Sequence, residues 1–338
     1  MFSSRKLLGT VSGIAVLAVL LANYAAPDPS GPHTTPSSAG TVTHTLLLDW
    51  LPNPDHSGIY VAQAENDFRK QGINVKVQTP SGTADAAKMI STGQIDLAIS
   101  YEPDTIMAAA QGMKVQAVAA LIPNVLSSLI ITGKDRSVTD LKGMTIGNPG
   151  LATSLPTLNS VLAQNGMTES DVKNVSLSTG GVEPLLAGKV DAIFGYYSNV
   201  EGVQLAEQGD YTVLPFDKIG VPSFDELVLV ANPDRLQSDS SYASFVRKTI
   251  AALKEGFASA NADPDAAYDA IAPVAKGYDD TTLRNMVKAT VPEYDNPQGF
   301  GSMDPKQWDS YAQWMHQNGL IDKPYKGRDA MTTEYLPD

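Results

Sequence analysis

The sequence predicts an α/β fold made of two lobes joined by a hinge. Between residues 45 and 99, short apolar runs alternate with amphipathic segments, the pattern of a parallel sheet covered by helices. The segment GQIDLAISY at 93–101 has a near copy, GKVDAIFGY, at 188–196. We therefore expect one such helix–strand unit in each lobe. The alternative is chance similarity between two ordinary units.

Lobe 1 is predicted over residues 43–131 and 223–338. Its first part alternates between buried strands and amphipathic helices that end at turn residues. The expected elements are a strand at Thr45–Leu48, a helix with Ile59, Tyr60, Ala64 and Phe68 on one face and its end at Gly72, a strand at Ile73–Val77, a helix ending at Gly93 and a strand at Ile95–Ile99.

Lobe 2 is predicted over residues 132–222, with the same alternation. Its expected elements are a strand at Met144–Ile146, a helix at Ser154–Gln164 and a strand at Val190–Phe194. The continuous apolar run Leu227–Val230 predicts a buried strand that returns to lobe 1. Two crossovers, near Ser127–Ile131 and Glu226–Ala231, are expected to form the hinge.

The remainder of the chain, from Pro233, is predicted to be helical and to cover lobe 1. Asp304 followed by Pro305 is a helix start signal, and Gly319 is a stop signal. Apolar residues recur three or four positions apart in four segments. These segments are Ser241–Ala260, Asp263–Ala275, Thr281–Val291 and Asp304–Asn318.

The N-terminus has the pattern of an export signal. Arg5 and Lys6 precede an apolar stretch, Leu7–Ala22, so residues 1–25 are predicted to be a signal peptide or a retained anchor. Asn23 stands where a lipoprotein would carry its lipidated cysteine. Residues 26–42 are rich in Pro, Ser, Thr and Gly, which predicts a flexible linker. The protein is therefore expected to be extracytoplasmic, either released or membrane-tethered.

The composition excludes several classes of function. A net charge of −13 argues against nucleic-acid binding, because phosphates attract basic surfaces. The absence of cysteine excludes disulfides, thiol nucleophiles and thiolate-bound metals. The four histidines have no metal-binding spacing, and no Ser–His–Asp arrangement is persuasive. We expect no catalytic residue, metal site or cofactor.

Two polar segments directly follow the predicted strands of lobe 1. Trp50 offers a flat face for stacking a heteroaromatic ring, and Asn53 and His56 offer hydrogen-bonding groups beside it. Tyr101 and Glu102 follow the strand at Ile95–Ile99. Because ligands bind beyond the carboxyl ends of strands, these residues are candidate ligand contacts. The alternatives are a core-filling tryptophan and a glutamate that only balances a helix start.

Lobe 2 and the hinge supply the remaining candidates. Glu183, Tyr196 and Tyr197 are expected at the cleft edge of lobe 2, and Glu226 lies just before the returning strand. The alternatives are a helix-start charge for Glu183, packing for one tyrosine and a hinge role for Glu226. The loop Gly147–Ser154 precedes a helix, where capping is favoured over ligand binding.

Six stretches of the sequence resemble one family. The chain is similar to the solute-binding proteins that deliver thiamine pyrimidine precursors, which are relatives of the fungal pyrimidine synthase and of the nitrate, sulfonate and taurine binding group. The matching stretches are LDWLPNPDHSGIYVAQ, GQIDLAISYEPDTIMAAAQG, LKGMTIGNPG, GKVDAIFGYY, GVPSFDELVLVAN and GFGSMDPKQWDSYAQWMHQNGLI.

The resemblance implies a periplasmic binding protein type II fold that closes like a venus flytrap. It implies an aminopyrimidine ring stacked on aromatic side chains and held by carboxylates. The implied partners are a small pyrimidine-like ligand and an ABC permease with its ATPase. The binding protein itself is expected to be a monomer without a cofactor.

The sequence departs from the synthase branch of this resemblance. That branch holds pyridoxal phosphate on a lysine and uses a histidine as pyrimidine donor, but the corresponding positions here are Ser100 and Asp104. Its cysteine-rich iron segment corresponds to Asp225–Val230, which has no cysteine. An enzymatic role is therefore the weaker alternative. A third possibility is an alkylsulfonate, taurine or similar anion, which an arginine in the cleft would favour. Arg136 and Arg235 lie near the crossovers, outside the strand-end motifs.

Overall fold

The computed structural model describes residues 42–80, 86–177 and 180–337. The predicted signal or anchor at 1–25 lies outside the described residues, and so does the predicted linker apart from Val42. Among the described helices, none combines the length and apolar character needed to cross a membrane.

The described strands form two five-stranded sheets. We number the strands in chain order. They are β1 (Thr43–Leu47), β2 (Asn74–Gln78), β3 (Leu97–Ser100), β4 (Gln116–Ile122), β5 (Ser127–Thr132), β6 (Thr145–Asn148), β7 (Lys173–Ser176), β8 (Ala192–Tyr197), β9 (Tyr211–Pro215) and β10 (Leu227–Ala231).

The two sheets share one topology. The first has the order β2-β1-β3-β10-β4, and the second has the order β7-β6-β8-β5-β9. In each, four strands run in the same direction, and the fourth strand in the order is antiparallel to both of its neighbours. The α/β fold with two sheets agrees with the prediction, and β10 returns to the first sheet as the sequence indicated.

The repeated sequence unit has the same structural role in both sheets. Asp96 precedes β3, and its Oδ2 accepts a hydrogen bond from the backbone N–H of Thr45 in β1 at 3.0 Å. Asp191 precedes β8, and its Oδ2 accepts from the N–H of Thr145 in β6 at 2.8 Å. Each aspartate thus joins the strand that follows it to a parallel neighbouring strand, β3 to β1 and β8 to β6. The similarity between 93–101 and 188–196 therefore reflects equivalent local structure.

The helices cover the sheets and follow the predicted order, with two differences. They are α1 (Ser57–Ala64), α2 (Asp67–Lys70), α3 (Ala86–Ser91), α4 (Glu102–Ala110), α5 (Ser154–Gln164), α6 (Val182–Leu186), α7 (Glu201–Ala206), α8 (Pro233–Ser238), α9 (Ser240–Ala262), α10 (Pro264–Ile271), α11 (Asp280–Thr290) and α12 (Pro305–Gln317). The single helix predicted to end at Gly72 is divided into α1 and α2, because Asn66 adopts a left-handed conformation with φ 63°. The sequence analysis also missed α7, whereas α8 lies in the region predicted to be helical from Pro233.

The C-terminal helices lie mainly beside the first sheet. Helix α9 contacts α1, α2, α8 and α10, and α12 contacts α4. Helix α11 also contacts α7, which follows a strand of the second sheet. These helices therefore cover the first sheet, as predicted, and additionally reach the second.

The crossovers between the sheets differ from their predicted positions. The chain leaves the first sheet after β4 at Ile122 and enters the second at Ser127. Residues 127–131, which the sequence analysis assigned to lobe 1 as a crossover, belong to β5 and pair with β8 and β9. These five residues are buried, and β5 is an interior strand because both of its edges are hydrogen-bonded. The chain returns to the first sheet between residues 216 and 226.

Candidate ligand-binding site

One cavity of about 410 Å³ is lined by residues from both sheets. Its walls follow the carboxyl ends of β1, β3, β6 and β8, where ligand sites form in α/β sheets. Glu226, just before β10, and Tyr311 of α12 complete the lining. Trp50 and Tyr196, expected from opposite lobes, line this same cavity. Its volume is in the usual range for small-molecule sites.

Aromatic side chains make up much of the lining. Trp50 and Tyr101 follow strands of the first sheet, and most of the others come from the second sheet or the return crossover. The aromatic lining residues are Trp50, Tyr101, Phe194, Tyr196, Tyr197, Phe216, Phe224 and Tyr311. Such faces on both sides of a cavity suit a planar ring, and each stacked pair adds about 0.5–1.5 kcal/mol beyond area burial.

The charged residues of the lining are all acidic. They are Asp49, Asp104, Glu201 and Glu226. Within the described chain, no lysine, arginine or histidine lines the cavity. The undescribed internal residues, 81–85 and 178–179, also contain no basic residue in their sequence. The site therefore has acceptors for hydrogen-bond donors and positive charge, but no cationic side chain for an anion.

Asp49 is held through both of its carboxylate oxygens. Its Oδ1 lies 2.8 Å from His56 Nε2, and its Oδ2 accepts from the Tyr101 hydroxyl at 2.7 Å. Burial works to raise the pKa of Asp49, but its interactions with His56 and Tyr101 outweigh burial and hold the pKa below its usual value. Asp49 therefore carries a negative charge at neutral pH.

The loop after β1 fixes Asn53 and His56 in place. Asn53 Oδ1 accepts from the N–H of Asp55 at 2.9 Å, and the N–H of Asn53 donates to His56 Nδ1 at 3.2 Å. These two bonds form a capping box around the 3-10 helix Pro54–His56. Asn53 lines the cavity, whereas the buried His56 does not. The structure thus places His56 behind Asp49, as its hydrogen-bond partner rather than at the cavity surface.

A β-bulge orients the tyrosine pair of β8. Ser128 pairs with Tyr196 and Leu129 with Phe194, so Gly195 is the additional residue. Gly195 has φ +80°, a conformation that glycine adopts at little cost. The additional residue shifts the alternation of faces, which places Tyr197 on the face of Phe194. Both tyrosines line the cavity, and the buried Tyr196 hydroxyl has no hydrogen-bond partner among the described residues.

Glu226 lies where the two crossovers meet. Its Oε2 accepts from the N–H groups of Leu126 and Ser127, each at 2.8 Å, and its Oε1 accepts from Ser127 Oγ at 2.7 Å. Burial raises the pKa of Glu226 to about 7, although these hydrogen bonds act in the opposite direction. Glu226 thus fastens the outgoing crossover to the returning strand while it lines the cavity.

Two further hydrogen bonds join the two sides of the cavity. Thr153, which precedes α5, donates from Oγ1 to Asp104 of α4 at 3.3 Å. Asn199, which follows β8, donates from Nδ2 to Asp55 Oδ1 at 2.6 Å. Both bonds connect residues far apart in the chain, so they hold the two sides together around the cavity.

Glu102 lies outside the cavity, in a buried acidic pair with Asp225. Its Oε2 accepts from the N–H of Asp225 at 2.7 Å and from Gln307 Nε2 at 3.2 Å, while Trp308 Nε1 donates to Asp225 Oδ2 at 2.8 Å. Burial and the charge of Asp225 raise the pKa of Glu102 well above its usual value, and burial raises that of Asp225 to about 6. Glu102 therefore occupies a structural position between α4, the return crossover and α12.

Glu183 is exposed in the first turn of α6, outside the cavity lining. At this position the negative charge of Glu183 interacts favourably with the helix start, which is the alternative that the sequence analysis gave for this residue. The nine predicted contacts are therefore divided by the cavity. His56, Glu102 and Glu183 lie outside it, and the other six line it, namely Trp50, Asn53, Tyr101, Tyr196, Tyr197 and Glu226.

Sequence reasoning missed several lining residues. Asp49 directly follows the predicted strand Thr45–Leu48 and precedes Trp50, so the rule that ligands bind beyond strand ends could have found it. The loop Pro149–Ser154 lines the cavity, although capping had been favoured for it. Phe224 and Tyr311 had no local signal, because the return crossover and α12 bring them from distant parts of the chain.

The sequence profile described as NMT1/THI5 like matches residues 53–267. The chain belongs to this family. A Haemophilus influenzae protein named for thiamine biosynthesis is 32% identical over 82% of this chain and 88% of its own length. The formylaminopyrimidine-binding protein of Halalkalibacterium halodurans is 28% identical over 98% of both chains. These relatives confirm the family resemblance of the sequence.

The NMT1/THI5-like family also contains enzymes. A 4-amino-5-hydroxymethyl-2-methylpyrimidine phosphate synthase of Saccharomyces cerevisiae is 27% identical over 66% of this chain and 68% of its own length. Membership of the family therefore does not by itself separate a binding protein from a synthase.

Solved structures confirm the fold. The alkanesulfonate-binding protein of Xanthomonas axonopodis, solved with MOPS, has a TM-score of 0.68 and 16% identity over 86% of this chain and 98% of its own. The chain therefore has the periplasmic binding protein type II fold. At this level of identity, the likeness concerns the fold alone.

Proposed function

We propose that this protein is the extracytoplasmic solute-binding component of an ABC importer and that it binds an aminopyrimidine related to thiamine precursors. The observation that supports the ligand class is the cavity lining, in which aromatic faces from both sides surround four acidic residues without a basic one. Aromatic faces stack on a planar heterocycle, and carboxylates accept hydrogen bonds from its amino group. The name of the 28% identical relative, a formylaminopyrimidine-binding protein, is consistent with this ligand class.

Binding is proposed to act through closure of the two lobes. The ligand would contact Trp50 and Tyr101 on one side and Tyr197 on the other, so only the closed form makes all contacts. Asp104 with Thr153 and Asp55 with Asn199 add protein contacts across the same gap. The closed form is then the state that a membrane permease and its ATPase would recognise.

An alkylsulfonate or similar anion is the second candidate, because a protein named for alkanesulfonate binding has the same fold. Sulfonate groups are commonly held by cationic side chains or by free backbone N–H groups. Arg136 and Arg235 lie outside the cavity lining, and its charged side chains are all acidic. An anion would therefore meet repulsion, which makes the pyrimidine the better-supported ligand.

A synthase role has less support than binding. The resemblance places Ser100 and Asp104 at the lysine and histidine positions of the synthase branch, and both line the cavity. A serine hydroxyl cannot form the imine that a lysine amine forms with pyridoxal phosphate. We therefore propose that the ligand is bound and released unchanged.

Isothermal titration calorimetry tests this function. The ligands are 4-amino-5-hydroxymethyl-2-methylpyrimidine, its formylamino analogue and an alkanesulfonate of similar size. We expect the pyrimidines to bind and the sulfonate to give no heat. Trp50→Ala should weaken pyrimidine binding about tenfold, since a stacked face is worth about 1 kcal/mol or more. Leu51→Ala is the control, because Leu51 is 58% exposed and lies outside the lining. Binding of the sulfonate alone would contradict the proposal.

A further inference from the structure

The charge of Asp49 is deeply buried beside the cavity. Its side chain is 3% exposed, and both of its oxygens already accept one hydrogen bond. A carboxylate has about four acceptor positions, so each oxygen can still accept another donor. The position of Asp49 in the lining makes the cavity the place from which that donor would come.

His56 orients Asp49 through a hydrogen bond to one of its two oxygens. The backbone N–H of Asn53 donates to His56 Nδ1, so this nitrogen carries no proton. The ring then has its proton on Nε2, which donates to Asp49 at 2.8 Å. In this arrangement an imidazole N–H donates to a carboxylate oxygen of Asp49.

The other groups around Asp49 supply no positive charge. Asp55 and Glu226 are acidic, and burial raises the pKa of each, that of Glu226 to about 7, so neither can supply a positive charge. Among the described residues, no lysine or arginine forms an ion pair with Asp49. The titratable side chains that interact with Asp49 are His56, Tyr101, Tyr197, Asp55 and Glu226.

A buried charge is costly, and binding an oppositely charged group offsets that cost. We infer that the ligand is bound as a cation and that Asp49 is its counter-charge. The chemical class is a heteroaromatic ring with a protonated ring nitrogen or a fixed positive charge. This inference rests on the proposed function and specifies the form of the ligand. The aromatic lining would add cation–π attraction to the same charge.

A basic aminopyrimidine that is neutral in solution must then take up one proton from the solvent when it binds. Above the pKa of the free ligand, affinity should fall about tenfold per pH unit, because less of the ligand is in the binding form. A non-basic isostere, in which the ring nitrogens are replaced by carbon, should bind much more weakly than the pyrimidine.

The experiment follows the ring nitrogen directly. 15N-labelled 4-amino-5-hydroxymethyl-2-methylpyrimidine is added to the purified protein at about pH 8, where the free ligand is neutral. We expect the bound ring nitrogen to show the chemical shift of the protonated form, and calorimetry in two buffers of different ionisation heat to report uptake of about one proton. Asp49→Asn should abolish both the chemical shift of the protonated form and the proton uptake, and it should weaken binding at least about tenfold. Asp210→Asn, at an exposed aspartate paired with Lys134, is the control that should retain both.

Tight binding of the neutral form with no proton uptake, unchanged in Asp49→Asn, would overturn the inference but leave pyrimidine binding intact. If no pyrimidine binds, the proposed function fails, and thermal unfolding without ligand still tests Asp49. Asp49→Asn loses the charge and one hydrogen bond, because its amide NH₂ must face one of the two donors, whereas Tyr101→Phe loses one hydrogen bond to Asp49 and keeps the charge. The inference predicts that Asp49→Asn is at least as stable as Tyr101→Phe, and a clearly lower stability of Asp49→Asn would show that the charge is already balanced within the protein.

Discussion

Asp55 and Asn199 meet in a buried hydrogen bond between the two sides of the cavity. Asn199 donates from Nδ2 to Asp55 Oδ1 at 2.6 Å and to Thr290 Oγ1 at 2.7 Å. Asp55 precedes α1 beside the first sheet, while Asn199 follows β8 of the second. One amide thus links the second sheet both to the loop after β1 and to the end of α11.

Asn199→Ala is expected to favour the open form of the protein. The substitution removes a bond to a buried carboxyl group, which costs about 1–3 kcal/mol. We expect ligand affinity to fall about tenfold or more and the radius of gyration of the liganded protein to increase in small-angle scattering. Asn165→Ala is the control, because the Asn165 side chain donates to the Val161 carbonyl oxygen at the end of its own helix. Equal effects of the two variants would argue against a role in closure.

Glu226 predicts a specific dependence of stability on pH. Its folded-state pKa is about 7, above the ordinary value of 4.5, so the folded protein holds this proton more tightly than the unfolded chain. The contribution of this bound proton to the free energy of unfolding is therefore fully present below about pH 4.5, and it is lost as the pH rises to about 7 and above. The shift corresponds to about 3 kcal/mol in the free energy of unfolding.

Glu226→Gln should remove this part of the pH dependence, because the amide does not titrate. Urea unfolding between about pH 5 and pH 8 measures the slope. Glu201→Gln is a useful comparison, since burial also raises the pKa of Glu201 to about 7, at a position outside the crossover. Each variant should reduce the dependence of the free energy of unfolding on pH. An unchanged slope in Glu226→Gln would show that Glu226 stays ionised in the folded protein.

Gly195 should be sensitive to substitution because it forms the bulge that orients Tyr197. At φ +80°, a side chain costs about 1–2 kcal/mol, and removing the bulge would turn Tyr197 toward the opposite face. We expect Gly195→Ala to lose both stability and ligand affinity. Gly188 has φ +64°, and an added Cβ there would meet no atom of the described residues within 4 Å, so Gly188→Ala should cost similar stability without affecting affinity. Unfolding and titration of both variants separate the two effects.

The order of elements could be predicted from the sequence because it depends on local periodicity. The helix Ser154–Gln164 has an apolar face and clear ends, and its predicted bounds match α5. The break at Asn66 could not be predicted, because one left-handed residue leaves the apolar pattern on either side unchanged. The position of β5 was also missed. The segment Ser127–Thr132 suits a strand in either sheet, and only its pairing with β8 and β9 decides the sheet.

The cavity was partly predictable because strand ends meet at one edge of a sheet. Trp50 and Tyr101 were found from that rule alone. His56 and Glu102 have equally suitable positions in the sequence, but their side chains turn inward to Asp49 and Asp225. The direction of a side chain in a loop depends on its hydrogen-bond partners, and those partners are set by tertiary contacts that sequence spacing does not contain.

Glu183 tests the boundary of the site. The resemblance suggested a ligand contact, but its side chain is exposed in the first turn of α6 and lies outside the cavity lining. Glu183→Gln should therefore leave ligand affinity within about twofold, with a loss of stability of about 0.3–1 kcal/mol from the helix dipole. Calorimetry of this variant beside Trp50→Ala gives the comparison. A tenfold loss of affinity in Glu183→Gln would mean that the liganded site extends to α6 and that the two sides close further than the cavity described above.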